Sequence, residues 1–156
     1  MSTKKIIAIG CGVVLLVVLV VVAVVVLFVA HVAQDPKAMR LEINAPATIA
    51  RGSEFQLVVN VINDRPAEFI EVASIDIGEE YLGGFTVLGS EPAYLASTKV
   101  PIDESRSFEF KRKLPPNSTN QFVFKLQARK TGRYSGEVDV CEGMRFLTMV
   151  VETQVE

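Results

Sequence analysis

Apolar positions follow two different rules along this chain. From Ile6 to Ala30 they run almost without interruption: 25 residues, IIAIGCGVVLLVVLVVVAVVVLFVA, carry no charge, no proline and no side-chain amide. As a helix this stretch is about 37 Å long, enough to cross a hydrocarbon core of about 30 Å with some tilt. A single span in lipid has to be helical, because every backbone N–H and C=O must be satisfied within the segment. A cleaved secretory signal has an apolar core of only about 7–15 residues and a small-x-small site. Here the run is far longer, and Ala30 and Ala33 are three apart. The pattern predicts a retained transmembrane helix over 6–30, preceded by a short cytoplasmic tail, 1–5, and followed by a short linker, 31–36, that ends on the Asp35-Pro36 turn signal.

Beyond residue 36 the rule changes to alternation. Phe55, Leu57, Val59 and Val61 share one phase, with Gln56 and Asn60 on the other. The same period-two pattern places Phe122, Phe124, Leu126 and Ala128 on one face, with Gln121, Lys125 and Gln127 opposite. Strands are also predicted over 38–44, 70–77 and 85–88 and around Phe108 and Phe110. Tyr134–Cys141 and Met144–Thr153 read as a hairpin about Glu142-Gly143. Turns fall at Arg51-Gly52-Ser53, Asn63-Asp64-Arg65-Pro66, Leu114-Pro115-Pro116-Asn117 and Lys130-Thr131-Gly132. The loop with Gly78, Gly83 and Gly84 and the stretch 93–105 read as irregular. No sustained helical period occurs after residue 36. Seven to eight short strands at regular spacing predict an all-β antiparallel sandwich over 37–156.

Composition narrows the chemistry. The net charge is −2, near −4 once Lys4 and Lys5 are set aside, which argues against nucleic acid as a partner. The two cysteines, Cys11 in the apolar run and Cys141 near the far end, cannot staple the β-rich region together. With a single histidine, His31 at the edge of the apolar run, no catalytic set and no zinc set is legible, and no cofactor is implied. Asp76, Glu79 and Glu80 lack the alternating spacing of a calcium loop and read as a solvated acidic loop. Cys141 has no neighbouring His or Lys in sequence to lower its pKa and reads as a half-buried structural residue. Asn117-Ser118-Thr119 is a glycosylation sequon on a turn.

Gly52 to Asn63, the Leu114-Pro115-Pro116-Asn117 turn, the aromatic strand that follows it and Gly132-Arg133-Tyr134-Ser135-Gly136-Glu137-Val138 together resemble bacterial immunoglobulin-like β-sandwich modules of the CARDB, NEW3 and DUF11 kind. The resemblance covers roughly residues 40–152. It implies a non-catalytic spacer, adhesive unit or docking surface. Gly132 and Tyr134 also resemble the tyrosine corner of immunoglobulin domains, which implies a structural role for both and a buried hydroxyl hydrogen bond. Gly136 stands where such domains carry a disulfide cysteine, and no core tryptophan is present.

Charge is segregated along the chain. Residues 64–80 hold six acids against Arg65, and residues 106–133 hold eight bases against Glu109. Lys111, Arg112, Lys113, Lys125 and Arg129 are therefore the expected interaction surface, with the first three next to or across from the last two on neighbouring strands. Glu137 and Asp139 are the acids expected to offset them within the fold. Flanking lysines and arginines tie at two against two. The closer pair, Lys4 and Lys5, favours an N-terminus in the cytoplasm and a C-terminal domain outside. The expected function is a single-pass, membrane-anchored, immunoglobulin-like interaction module. Its partners are the lipid bilayer and a protein in or near the same membrane. The alternative is a small accessory subunit of a larger membrane complex.

Overall fold

The computed structural model describes the backbone over residues 3–32 and 38–156, and side chains over 15–30 and 38–156. The chain divides into two compact units, Met1–Gln34 and Asp35–Glu156. The first is one helix, α1 (Thr3–Val32), 30 residues long. Every described side chain in it is exposed, on all sides. Among the described residues no helix is long and apolar enough to cross a membrane; the described side chains of α1 cover 15–30, fewer than the roughly 20 residues that a span needs. Most of the expected 31–36 linker lies outside the described residues.

The second unit is a two-sheet β-sandwich. Its elements are β1 (Met39–Asn44), β2 (Thr48–Ile49), β3 (Glu54–Asn63), β4 (Ile70–Gly78), α2 (Glu79–Leu82), β5 (Phe85–Glu91), β6 (Ala96–Val100), β7 (Ser105–Leu114), β8 (Ser118–Ala128), β9 (Gly132–Glu142) and β10 (Arg145–Val155). One sheet has the order β1-β3-β8-β5, the other β2-β10-β9-β4-β7-β6. All pairings are antiparallel except β2 with the end of β10, which is parallel. Ten strands replace the seven to eight expected. The additions are two-residue β2 and β6, which lies in the stretch read as irregular. The loop read between Gly78 and Gly84 holds the single helical turn α2. Neither β6 nor α2 has an alternating or helical period to reveal it: four of the five β6 residues are exposed, and α2 is one turn long.

The core is the set of inward phases that alternation marks. Leu57, Val59 and Val61 of β3 and Phe122, Phe124 and Leu126 of β8 are fully buried, facing Ile75, Ile77, Phe108, Val138 and Val140 of the other sheet. Edge-on aromatic pairs bridge the two layers: Phe108 meets Phe124 at 5.0 Å and Phe110 meets Phe122 at 4.8 Å between ring centroids. Such contacts add about 0.5–1.5 kcal/mol each beyond area burial.

The two ends of the sandwich are closed differently. At one end Asn63, fully buried, points its Nδ2 at the carbonyls of Glu68, Leu114 and Pro115 at 2.9, 3.1 and 2.9 Å, and its Oδ1 accepts from the Arg65 amide. At the other end Tyr81 of α2 is fully buried, with its hydroxyl 3.0 Å from Thr153 Oγ1, and its ring lies 4.9 Å from Phe85.

Candidate interaction surfaces

The expected basic surface is divided by the fold. Lys111, Arg112 and Lys113 lie on β7, and Lys125 lies on β8; these strands belong to different sheets and share no ladder. Arg129 follows the end of β8, while the three β7 residues sit near the turn that leads into its start, so the length of the strand separates them. Only Arg112 and Lys125 come together, lining a cleft of about 550 Å³ with Gln56, Gln121 and Glu91. All five are exposed. Three basic residues in a row are exposed because a bulge interrupts the alternation. Val72 pairs with Arg112 and Ser74 with Glu109, so Ala73 alone faces Phe110 and Lys111, and Lys111 takes a φ of +48°. The offsetting acids are also different. Glu109 pairs with Lys111, Glu71 stands opposite Lys113, and Glu91 lines the Arg112–Lys125 cleft. Arg129 donates to Thr86 Oγ1 at 3.0 Å.

Glu137 and Asp139, the expected offsets, instead line a cleft of about 550 Å³ on the outer face of the six-stranded sheet. Asp76, Glu80, Asp103 and Glu104 complete its acids, with Cys141 and Phe146 beside them; no lysine or arginine lines it. Desolvation holds the Asp139 carboxyl above the usual range, with the Glu137, Asp76 and Asp103 charges adding to the rise and the Thr148 hydroxyl bond opposing it. Asp76 accepts from Ser107 Oγ at 2.6 Å and from Cys141 Sγ at 3.6 Å. Burial pushes the Cys141 thiol up to about 12, and the nearby Asp76 and Asp139 charges act in the same direction. The thiol is thus protonated at neutral pH, the opposite of what a nucleophilic cysteine needs. Glu79 pairs with Arg106 at 3.1 Å and Lys99 at 3.7 Å. Among the described residues no group of three or more acids, cysteines or histidines is arranged to hold a metal.

Tyr134 donates from its hydroxyl to the Thr131 carbonyl at 3.3 Å, in a solvent-exposed position. The local bond of a tyrosine corner is present, but the expected burial is not. Gly132, with φ +140°, lets the chain turn beneath the ring. Gly84 passes so close that a Cβ there would lie 2.5 Å from the Tyr134 ring. Gly136 is packed by Tyr81: a Cβ at Gly136 would lie 2.9 Å from Tyr81 Cβ.

The sheet margins form a further surface. Three of them carry features that discourage pairing with another chain. β5 has a bulge between Val87 and Gly89 and runs into Pro92. β6 is five residues long and carries Lys99. β1 is six residues long and presents Arg40 and Glu42. β10 has none of these features. Its ladder with β9 is continuous from Arg145 to Val155, and β2 covers only Gln154 and Val155 on its other side. Over the rest of that side β10 has no ladder partner, and β1 of the other sheet lies alongside it. Phe146 and Val150 on its outer face are 50% and 66% exposed. Sequence reasoning passed over this surface, although one signal is visible: Phe146-Leu147-Thr148-Met149-Val150-Val151 is apolar on both phases, unlike the one-sided strands around it.

No family model matches the chain, and no curated protein matches it. Among solved structures it is similar to AvmM, described as catalysing macrocyclization in alchivemycin A biosynthesis, with a TM-score of 0.50 at 9% identity over 77% of this chain and 89% of that one. A second similar structure is the native conformation of E. coli alpha-2-macroglobulin, with a TM-score of 0.46 at 12% identity over 78% of this chain and 7% of that one. At this identity the AvmM likeness shows fold alone, an all-β sandwich.

Proposed function

We propose that this chain is a single-pass membrane protein that displays a non-catalytic, immunoglobulin-like sandwich outside the cell membrane and binds protein there through the open margin of β10. The contrast among the margins carries the docking part of this reading: three are blunted within their own strands, and β10, which β1 flanks without a ladder, is long, regular and apolar. A partner adds a strand there by main-chain hydrogen bonds, with side chains alternating between the two faces. The bases of β7, of which Lys111 is paired with Glu109 and which share no ladder with Lys125, support this role less well than the continuous β10 backbone does. The membrane part is supported by the uncharged run 6–30, which lies within the 30-residue α1 and carries Lys4 and Lys5 on its N-terminal side.

Strand order supports the immunoglobulin-like assignment. The β1-β3-β8-β5 sheet has the four-strand plan of such domains, and β10-β9-β4 has the facing three-strand plan, widened by β7 and β6. The chain departs from that plan by visiting β5 before β6 and β7. The test has two readouts in cells. Alkaline phosphatase fused after Glu156 is active, and carbonate washing leaves the protein in the membrane pellet; release by carbonate overturns the anchor, and an inactive fusion that stays in the pellet reverses the orientation. A photocrosslinking residue at Val150 gives protein adducts, and one at Thr98 on β6 does not; equal yields at the two sites overturn the docking margin.

A further inference from the structure

We propose that the sandwich rests on the lipid surface through the end at which β1 begins, with Phe69 and Met144 entering the headgroup region. This rests on the membrane-anchor part of the reading above and assigns a second, shallower contact with lipid. Both ends of the sandwich carry an exposed apolar tip. At the end closed by Asn63, Phe69 precedes β4 and Met144 lies in the β9–β10 turn; they are 59% and 62% exposed. At the opposite end Ile102, in the β6–β7 turn, is 93% exposed. The chain enters at the first of these ends. Met39 pairs with Asn63, the Asp64 amide donates to the Ala38 carbonyl at 2.9 Å, and Asn63 Nδ2 holds the Glu68 carbonyl next to Phe69.

Chain length then selects between the ends. Seven residues, 31–37, separate Ala30 of the apolar run from Ala38, at most about 25 Å of extended chain. The eleven residues of β8 run about 37 Å along the sandwich, so a sandwich standing on its Ile102 end would hold its point of entry out of reach of the anchor. The outer faces fit lipid poorly. One carries Gln56, Gln121 and Lys125, and the other the cleft of Asp76, Glu137 and Asp139, all of which would have to give up water. The Phe69 end has its charges matched already. Arg40 is paired with Asp64, Glu142 is paired with Arg65 at 2.7 Å and Arg145 at 3.4 Å, and Lys113 shares a cleft of about 540 Å³ with Phe69, Glu71 and Glu142. With no excess of positive charge, the attraction is apolar, and neutral lipid suffices.

The test uses the full-length protein, with Cys11→Ser and Cys141→Ser, reconstituted in phosphatidylcholine vesicles. A fluorophore is attached at Ala67→Cys, near Phe69, or at Lys130→Cys, in the turn at the opposite end, and is quenched by lipid that carries a nitroxide near its headgroup. Quenching is expected to be about threefold stronger at Ala67 than at Lys130, as an end seated in the headgroup layer requires. Phosphatidylglycerol and added salt should change it little. Phe69→Ser with Met144→Ser, both at exposed positions, should lower the Ala67 quenching about twofold with the far-UV spectrum unchanged. Equal quenching at the two ends, quenching that needs phosphatidylglycerol or is lost in high salt, or quenching that the two serines leave unchanged each overturns the proposal. Flotation of the carbonate-washed vesicles separates it from the anchor: protein that floats with both labels equally quenched keeps the anchor and removes the resting end, whereas protein that does not float removes both.

Discussion

The two ends of the sandwich are held by different physics. At the end where β3, β7 and β9 finish, the closures are polar. Asn63 serves three carbonyls and one amide from a fully buried position. Arg65 grips Glu142 through two bonds of 2.8 and 2.7 Å, joining the β3–β4 loop to the β9–β10 hairpin, with both side chains largely buried. At the end where β4, β8 and β10 finish, the closures are aromatic. Tyr81, Phe55 and Tyr134 each set a ring about 5 Å from Phe85, admitted by Gly84 and Gly136. The polar end depends on each group having its partner, so removing one atom is costly. The aromatic end depends on shape, so adding one atom is costly.

Substitutions separate the two. Asn63→Ala is expected to cost most, about 3 kcal/mol or more in denaturant unfolding, because a buried side chain that bonds the Glu68, Leu114 and Pro115 carbonyls and the Arg65 amide is lost at once, with only Pro115 keeping a second side-chain donor, Ser118. Gly84→Ala comes next, at about 1–3 kcal/mol, since its Cβ overlaps the Tyr134 ring. Adding Tyr134→Ala should recover part of that loss, and strict additivity would mean that the two residues do not clash. Tyr81→Phe should cost about 1–2 kcal/mol by leaving the buried Thr153 hydroxyl without this bond. Tyr134→Phe is expected to be nearly neutral, since its bond is exposed. Equal losses at Tyr81 and Tyr134 would erase the distinction between a buried and an exposed closure.

pH gives finer tests of the same comparison. Burial pushes the Tyr81 hydroxyl up to about 12 from its ordinary 10. Between those values the folded state holds the proton more tightly than the unfolded chain, so stability falls as pH rises through that window. Tyr81→Phe should remove that share of the alkaline loss, and Cys141→Ser the share that begins near pH 9. Asp139 follows the same sign at the acid end: its raised pKa means stability is lost as pH rises out of the ordinary carboxylate range. Asp139→Asn should therefore raise the melting temperature at pH 7, by an amount that shrinks toward pH 4. A gain independent of pH would place its cause elsewhere.

What the sequence shows and what it hides follows from this difference. Residues that alternate in a strand announce their burial, so the inward phases of β3 and β8 were legible residue by residue. Turns were legible where proline, glycine and asparagine cluster. Three-dimensional adjacency was not. The bases of β7 and β8 look contiguous along the chain but are divided by a change of sheet. Asp76, Asp103 and Asp139, scattered in sequence, converge on one cleft. Tyr134 carries the pattern that resembles a tyrosine corner, yet Tyr81, in a segment with no period to read, holds the buried hydroxyl. The open margin of β10 lay hidden because an edge is defined by what fails to pair with it, and no single strand's pattern states that.

Amide hydrogen exchange along β10 in the full-length protein tests the central claim most directly. In an unpaired margin, Leu147, Met149 and Val151 are protected by β9 while Phe146, Thr148 and Val150 exchange quickly. Docking of a partner strand predicts that the second set is slowed in protein exchanged in its native membrane relative to protein in detergent, while Leu147 and Met149 stay protected in both. Alternating protection that is identical in the two would contradict it.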